Sequence, residues 1–287
     1  PIKENKLVGE AIDIIHTERA GKISGSRFGF IKNELALLEF ALINFAMDTV
    51  RKEKFIPIIP PVMIKNQMAR GTGYFEAADE KEAYYLPQDD MYLVGTAEQS
   101  IASMHANEIL DIKKFPLRYA AFSTCFRREA GSYGKDTKGI LRVHQFDKLE
   151  MFVYSTPEDS KKEHELLLKI EERLMKELGL PYQVINICTG DLGRPAAKKY
   201  DIETWIPSEN KYRETHSCSN CTDFQARRLN IKYKNKENKM QFAYTLNGTA
   251  FAMPRIFIAI LENYQQKDGS IKVPKVLQKY CGIKIIK

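Results

Sequence analysis

The segment TCFRREAGSYGKDTKGILRVHQFDKLEMF, residues 124–152, carries most of the information about how this chain folds. It joins two apolar runs, LRYAAFSTCFR and RVHQFDKLEMFVY, through the glycine-rich stretch EAGSYGKDTKG. Two such runs on either side of a glycine-rich connection predict a pair of antiparallel strands. The same segment crowds charges of both signs around an aromatic ring, which a purely structural hairpin does not need.

Strand alternation places Phe146, Lys148 and Glu150 on one face of the second run, with His144 and Arg142 in line with them. A hydrophobic core does not accept such charges unpaired. An aromatic ring can stack on a base, and arginine forks can grip phosphates. An exposed sheet face with salt bridges is the alternative. Three arginines, two acids and a glycine loop in one hairpin favour a nucleotide site.

Three other segments suggest the same chemistry. GTAEQS places Thr96 and Glu98 at a strand-to-helix turn, where backbone donors and a carboxylate can bind an amino acid. YRETHSCSNC ends a strand with Glu214 and Ser217, an oxygen pair suited to Mg²⁺ beside a phosphate. LNGTAFAMPR places Arg255 in an apolar helix, where its charge requires an anionic partner.

The pair Cys218-x-x-Cys221 leaves two interpretations open. A zinc site needs three or four ligands, and His216 is the third candidate within this segment. Without a second such cysteine pair, a buried pair of free thiols is favoured over a metal site.

The rest of the chain predicts an α+β fold with a largely antiparallel sheet flanked by helices. Residues 32–52 have helical spacing, whereas 18–31 suggest two short strands around a Gly/Ser turn. A long helix is expected between the cap Thr156 and Gly179. The last long helix is expected to start near Thr249.

The polar stretch KYKNKENK, residues 232–239, is interpreted as a solvated loop, with an RNA contact as the alternative. The formal net charge of +7 suits anionic partners, although on charge alone a lysine-rich solvated surface is the favoured explanation.

Composition narrows the class of protein. The 287 residues hold five cysteines, an odd count that suits a reducing compartment and makes the cytoplasm the expected location. A membrane-spanning helix needs about 18 consecutive apolar residues, and no apolar run in this sequence approaches that length. No membrane association is therefore expected. The first residues lack a continuous apolar core, so a secretory signal is not expected either.

Together these motifs resemble the class II aminoacyl-tRNA synthetases, and among them the seryl-tRNA synthetase family. The resemblance rests on FRREAGSYGKDTKGILRVHQFDKLEMF, ETHSCSNCTDFQARR and LNGTAFAMPR, and it extends over residues 18–279. It implies the class II fold and one catalytic domain over residues 1–287. Within that domain it implies a lead-in segment at 1–33, the first motif with the dimer contact at 34–61, the second at 117–154 and the third at 241–266.

The resemblance also assigns roles at the nucleotide. Arg127 would hold the α-phosphate of ATP, Glu129 the adenine end and Arg255 the γ-phosphate side, and these three are the expected catalytic residues. Phe146 would stack on adenine, and Arg142 would lie by the outer phosphates. The full expected ATP-binding set is Arg127, Arg128, Glu129, Arg142, Phe146, Glu214, Thr215, His216, Ser217 and Arg255.

For the amino acid, the resemblance implies a serine pocket. Glu98 would meet the ammonium, and Glu150 and Thr249 the hydroxyl. The full expected serine-binding set is Thr96, Ala97, Glu98, Arg127, Glu150, Asn247 and Thr249. Mg²⁺ would accompany ATP at Glu214 and Ser217.

The implied function is ATP-dependent activation of L-serine to seryl-adenylate, followed by transfer to tRNA(Ser) by a homodimer. The family's N-terminal helical hairpin, which grips tRNA, has no counterpart in this sequence, so weakened tRNA charging is expected. Two alternatives stay open. One is an armless homologue that loads an amino acid onto a carrier protein, and the other is a catalytically degenerate RNA-binding or regulatory paralogue.

Overall fold

The computed structural model of the protein describes residues 4–74, 79–130 and 139–287. Most of the glycine-rich connection predicted between the two strands of the hairpin, residues 131–138, lies outside these ranges. Within them no helix combines the length and the apolar character needed to cross a membrane.

Helices and strands alternate irregularly along the described chain. The helices are α1 (Asn5–Ala11), α2 (Thr17–Ser24), α3 (Asn33–Lys52), α4 (Asn66–Gly71), α5 (Ala97–Met104), α6 (Pro157–Leu178), α7 (Phe224–Leu229), α8 (Met253–Asn263) and α9 (Gln278–Cys281). The strands are β1 (Ile15–His16), β2 (Phe30–Ile31), β3 (Ile56–Ile58), β4 (Met63–Lys65), β5 (Tyr84–Leu86), β6 (Met91–Leu93), β7 (Ile109–Leu110), β8 (Leu117–Phe126), β9 (Gln145–Ser155), β10 (Tyr182–Asn186), β11 (Lys198–Ile206), β12 (Lys211–Asn220), β13 (Lys232–Lys234), β14 (Met240–Phe242), β15 (Tyr244–Ala252), β16 (Ile271–Lys272) and β17 (Ile285–Ile286).

A seven-stranded sheet forms the centre, in the order β10-β11-β12-β15-β9-β8-β3. Every pair in it is antiparallel except β3 with β8. The predicted α+β class with a mostly antiparallel sheet is therefore confirmed. The hairpin of β8 and β9 is its longest pairing, running in register from Leu117 opposite Tyr154 to Phe126 opposite Gln145.

The two faces of β9 have different environments because successive side chains point to opposite sides of the sheet. Leu149, Met151 and Val153 join the main apolar core. Phe152 and Tyr154 join a second apolar cluster with residues of α5 and α7. Glu150 alternates with the first group, so it lies on the same side as α5.

The helix α6 ends as predicted at both termini. The Thr156 hydroxyl accepts a hydrogen bond from the Asp159 amide, and Pro157 occupies the first turn. At the other end Gly179 adopts the left-handed conformation with φ 68°. Both caps satisfy backbone groups that the helix leaves unpaired.

Two expectations about local structure are wrong. Residues 18–31 do not form two strands, because most of the first half belongs to α2, whose buried Ala20 packs inward, and only β2 is extended. Residues 232–239 are not simply a loop, since β13 pairs with β14 in a small hairpin. Tyr233 is buried there between Lys232 and Lys234. The alternation of one apolar residue with two polar ones indicates a strand, and the sequence analysis overlooked it.

The last long helix also begins later than predicted. The strand β15 continues through Thr249 to Ala252, and α8 starts at Met253 with Pro254 in its first turn. Proline suits that position because its missing N–H has no helical partner there. Thr249 is consequently a strand residue, while Arg255 lies in a helix as predicted.

Candidate active site

A cavity of about 260 Å³ opens on the α5 side of the sheet, bordered by β9, β12, β15 and the first turn of α8. Thirteen of the expected site residues line it. They are Thr96, Glu98, Arg127, Glu129, Arg142, Phe146, Glu150, Glu214, Thr215, Ser217, Asn247, Thr249 and Arg255. The structure thus brings residues separated by up to 159 positions (from 96 to 255) to one cavity.

Three expected residues are not among the described residues that line this cavity. Ala97 is the first residue of α5, next to the lining residues Thr96 and Glu98. Arg128 is exposed, with its guanidinium carbon 5.5 Å from the centre of the Tyr84 ring.

The third, His216, points to the opposite face of β12, where its ring lies 5.8 Å from that of Phe251. Strand alternation explains this placement, because the neighbours Thr215 and Ser217 both line the cavity and His216 lies between them. A bulge between the pairs of His216 and Glu214 allows Glu214 to line the cavity as well. Burial lowers the pKa of His216 to about 3, so the ring is neutral. The expectation that His216 contacts ATP therefore has no support in this geometry.

Arg127 lies between the two ends of the cavity. Its Nε donates to the Gly95 carbonyl at 3.1 Å, and its guanidinium carbon lies 5.3 Å from the centre of the Phe146 ring. The first contact fixes the side chain next to the turn that carries Thr96 and Glu98. The second places the positive charge against the aromatic ring predicted to stack on a base.

Arg142 and Glu129 face each other across the hairpin, with 3.4 Å between Nη1 and Oε2. Glu129 has φ 52°, in the left-handed region that non-glycine residues seldom adopt. Backbone strain of this kind is concentrated at functional sites, where surrounding contacts maintain it. The conformation points to a constrained position at the start of the hairpin connection.

Arg255 has the anionic partner that its helical position required. Its Nη1 lies 3.2 Å from Glu214 Oε1 and donates to the Glu214 carbonyl oxygen at 3.1 Å. Desolvation works against ionisation of Glu214, but the charges of Arg255 and Lys199 outweigh it and lower the pKa of that carboxyl. An ionised carboxylate and the Ser217 hydroxyl in one wall are oxygen ligands of the kind that Mg²⁺ prefers.

The other end of the cavity is an enclosed acidic pocket. Glu98 is 2% exposed and Glu150 is 1% exposed. Thr249 stands directly opposite Glu150 in the pairing of β15 with β9. The Thr96 hydroxyl caps α5 by accepting from the Glu98 amide at 3.4 Å, which sets the start of the helix at the pocket wall.

Two residues that the sequence analysis missed hold Glu98 in place. The Tyr74 hydroxyl donates to Glu98 Oε2 at 2.9 Å, and Gln225 Nε2 donates to Oε1 at 2.9 Å. Gln225 is itself fixed by the Thr245 hydroxyl, which donates to its Oε1 at 2.8 Å. Burial raises the pKa of Glu98, while these hydrogen bonds and the charge of Lys148 oppose that rise.

Two lysines of the cavity were also left without a role. Lys148 is 8% exposed, pairs with Glu150 and donates to the Thr96 hydroxyl at 3.3 Å. Lys199 lines the wall near Glu214, with its Nζ 3.3 Å from Asp201 Oδ1. Strand alternation had already placed Lys148 on the face of Phe146 and Glu150, and only its role was left unassigned.

The backbone at Gly248 approaches α6 on the far side of the sheet. A Cβ atom built there would lie 3.1 Å from Glu171 Oε1 and 3.3 Å from Cys218 Cβ, closer than most real contacts. Glycine is therefore favoured between the cavity residues Asn247 and Thr249. Burial raises the pKa of the Glu171 carboxyl well above its usual range, which favours its neutral form.

The two cysteines of the CxxC pair separate in space. Cys221 lines the cavity, 3.7 Å from Asn247 Nδ2, whereas Cys218 is buried beneath Gly248. Across the part of the chain that is described, no three His, Cys, Asp or Glu side chains are grouped so as to hold a metal ion.

The cavity therefore combines two kinds of recognition. Guanidinium groups and an aromatic ring at one end suit a nucleotide with its phosphates. Buried acceptors at the other end suit a small molecule with an ammonium and a hydroxyl group.

Comparison with known proteins agrees with this geometry. Residues 84–264 match the family model described as the tRNA synthetase class II core domain (G, H, P, S and T). The chain is 54% identical to a Serine--tRNA ligase of Pyrococcus furiosus over 269 residues, which are 93% of this chain and 59% of the relative. It is 48% identical to a Serine--tRNA ligase of Acidothermus cellulolyticus, covering 100% of this chain and 68% of the relative.

Among solved structures, the fold is similar to seryl-tRNA synthetase from Pyrococcus horikoshii complexed with ATP. The TM-score is 0.95 at 50% sequence identity, covering 99% of this chain and 64% of that one. The chain spans 59% of the length of the first curated relatives that it matches.

Proposed function

Since this chain belongs to the class II tRNA synthetases and, within them, to the serine--tRNA ligase family, we propose that it activates L-serine with ATP to form seryl-adenylate and pyrophosphate. The observation that carries the proposal is the cavity itself. It holds Arg142 and Arg255 at one end, the buried acids Glu98 and Glu150 at the other, and Arg127 between them. A triphosphate and a small amino acid can therefore meet in one site.

The activation step requires positioning and charge neutralisation. A serine carboxylate oxygen attacks the α-phosphorus of ATP, and the bond to the pyrophosphate oxygen breaks, with its electron pair leaving on pyrophosphate. Arg127 lies between the two ends of the cavity, so we assign it to the α-phosphate and the attacking carboxylate. Arg142 and Arg255 neutralise charge on the outer phosphates, as preorganised donors do in a dry site.

Serine specificity follows from the acidic pocket. Glu98 binds the ammonium group. Glu150 and Thr249, which are paired on the adjacent strands β9 and β15, bind the hydroxyl group. An amino acid without the hydroxyl leaves these buried acceptors unpaired, which supports discrimination of roughly 10⁴-fold. We assign the exclusion of threonine to the shape of the closed pocket.

We assign Mg²⁺ to the phosphate end, at Glu214 and Ser217. The positive charges that lower the pKa of Glu214 support the assignment, because they favour the ionised carboxylate that the metal needs. When bound with ATP, the metal would add positive charge next to the phosphates. Arg255 holds Glu214 in position from the neighbouring helix.

We propose tRNA(Ser) as the acceptor of the seryl group. A polypeptide of these 287 residues spans only 59% of a matched relative, so we expect it to charge tRNA more weakly than a full-length relative does. Side-by-side charging rates test this expectation.

We also propose a cytoplasmic location, which the five free cysteines support, because free thiols suit a reducing compartment.

We also propose a homodimer. Phe40 is 64% exposed on α3, one helical turn from the exposed Leu37. Ile59, after the edge strand β3, is 85% exposed. Apolar side chains and an open strand edge in the segment assigned to the first motif are features that a second copy would cover.

The test of the proposed function is amino-acid-dependent exchange of pyrophosphate into ATP, with each amino acid supplied in turn. Serine is expected to support exchange far better than alanine, threonine or glycine. The carrier-protein and degenerate-paralogue alternatives are not favoured, because Arg127, Arg142 and Arg255 line the cavity together with every expected serine-binding residue except Ala97. Equal exchange with several amino acids, or none with any, would refute the proposal.

A further inference from the structure

Lys148 is a buried cation inside the acidic end of the cavity. It is 8% exposed and lies on the cavity face of β9, between Phe146 and Glu150. Its ammonium pairs with Glu150 Oε2 and donates to the Thr96 hydroxyl at 3.3 Å. A buried ammonium requires such partners, and both partners belong to the wall assigned to serine.

Glu150 is surrounded by ionisable groups from several elements. The pKa of Glu150 is affected by the charges of Lys148 on the same strand and of Arg127 and Glu98 on neighbouring segments. Glu150 in turn affects the pKa values of Tyr74, Cys125 and Glu171. Of the two cations, Arg127 is directed to the Gly95 carbonyl, whereas Lys148 contacts the Glu150 carboxylate itself. The charge state of Glu150 is therefore coupled most directly to Lys148.

Burial raises the pKa of Glu150 to about 7, Glu98 adds to that rise, and the positive charge of Lys148 opposes it. The acids Glu98 and Glu150 both interact with the positive charges of Lys148 and Arg127. Removing Lys148 takes one of these two positive charges away from a pair of buried acids. That loss favours protonation of Glu150.

We propose that Lys148 is a positioning residue that keeps Glu150 as a carboxylate, so that Glu150 accepts the hydrogen of the serine hydroxyl and rejects amino acids that lack one. The inference rests on the proposed function, because it places serine in this pocket. A carboxylate left unpaired by alanine is costly, since hydrogen bonds to charged groups are the strong ones. A neutral carboxyl left unpaired costs less, so discrimination weakens without Lys148.

The test compares the intact chain with Lys148→Met, which keeps the length of the side chain and removes its charge. Serine-dependent and alanine-dependent pyrophosphate exchange are measured from about pH 5.5 to about pH 9. For Lys148→Met, the acid limb of kcat/KM for serine is expected to move up by about one pH unit or more. The serine-over-alanine ratio is expected to fall by about tenfold or more.

Lys199→Met is the matched control. It also removes a lysine charge from the cavity, but the partner of Lys199 is Asp201 on β11. Its rate is expected to fall without movement of the acid limb and without loss of discrimination. Glu150→Gln, which cannot ionise, provides a second variant if Lys148→Met fails to fold, and it is expected to lose the acid limb.

Each outcome decides a different claim. If the intact chain shows no serine-dependent exchange, the proposed function fails and this inference fails with it. If the intact chain is active but Lys148→Met, with an unchanged melting temperature, keeps both the acid limb and the ratio, only the role of Lys148 is overturned. An acid limb that persists in Glu150→Gln also overturns it, because the titrating group is then another one.

Discussion

Glu98 shows how a single carboxylate is prepared for a ligand. Tyr74 and Gln225 each donate one hydrogen bond to it, so both oxygens are fixed before any substrate binds. Fixed acceptors reduce the ordering cost of binding. The proposed role of Glu98 at the serine ammonium thus depends on two residues that lie 24 and 127 positions away in the chain.

Tyr74→Phe should weaken serine binding. The change removes one hydrogen bond to a buried carboxylate, worth about 1.5 to 3 kcal/mol, so KM for serine is expected to rise roughly 10-fold to 100-fold. Tyr85→Phe is the control, because it removes a similar hydroxyl contact to Asp90 on the surface. Steady-state exchange kinetics check both. An unchanged KM in Tyr74→Phe would contradict the assigned role.

At the residue scale, sequence reasoning succeeded where strand alternation or a motif fixed the direction of a side chain. It succeeded for Glu150 and Phe146 on one face of β9. For His216, strand alternation opposes the expected ATP contact, because Thr215 and Ser217 line the cavity and His216 lies on the other face of β12. Tyr74 and Gln225 were beyond its reach, since their contacts with Glu98 are created only by tertiary packing.

Among the elements, α3 and β9 are joined by a pair of acids. Glu39 on α3 hydrogen-bonds to Asp147 on β9, and Asp147 also accepts from the Thr124 hydroxyl at 2.6 Å. Burial, followed by the negative charge of Asp147, raises the pKa of Glu39 to about 7. The helix assigned to the dimer contact is thus linked to the strand that carries Phe146 and Lys148.

Glu39→Gln should stabilise the fold at high pH and change little at low pH. Folding raises the pKa of Glu39. The contribution of Glu39 to the free energy of unfolding is therefore fully present at low pH and is lost as the pH rises through about 7. Glutamine avoids that loss, and we expect a gain of roughly 1 to 2 kcal/mol near pH 8 and about none near pH 5. Urea unfolding at both pH values measures this change in the free energy of unfolding. Glu34→Gln on the same helix is the control, and an equal shift at both pH values in Glu39→Gln would contradict the assignment.

Elements with strong periodicity were predictable and boundaries were not. The caps of α6 were visible in Thr156, Pro157 and Gly179. The start of α8 was misplaced because the stretch from Thr249 to Ala252 pairs with β9 rather than coiling, an outcome decided by the neighbouring strand. Tertiary context overrode local propensity there.

At the scale of the whole molecule, the proposed homodimer makes the exposed apolar side chains of α3 functional. In light scattering the chain is expected at twice its 33.0 kDa mass. Phe40→Glu places a charge in the expected contact and should yield the monomer. Ile109→Glu is the control, because Ile109 is also exposed but lies on β7 in a different sheet. A monomeric mass for the unaltered chain would rule out the dimer.

The overall class was accessible from sequence because the hairpin motif, the acidic turn and the last helix are separate segments that one antiparallel sheet brings together. The order of the strands was not accessible. The adjacency of β15 to both β9 and β12 places Thr249 opposite Glu150 and Ser219 opposite Asn247. That adjacency joins the end of the cavity assigned to the nucleotide to the end assigned to serine.

The central claim is that Arg127 links the triphosphate and the amino acid in one cavity. Serine-dependent exchange of pyrophosphate into ATP tests it most directly, measured on the unaltered chain, on Arg127→Ala and on Arg128→Ala. We expect activity in the unaltered chain, a loss of roughly 10³-fold or more in Arg127→Ala, and only a small change in Arg128→Ala, whose side chain lies over Tyr84. Exchange that survives in Arg127→Ala, or that falls equally in both variants, would contradict the account.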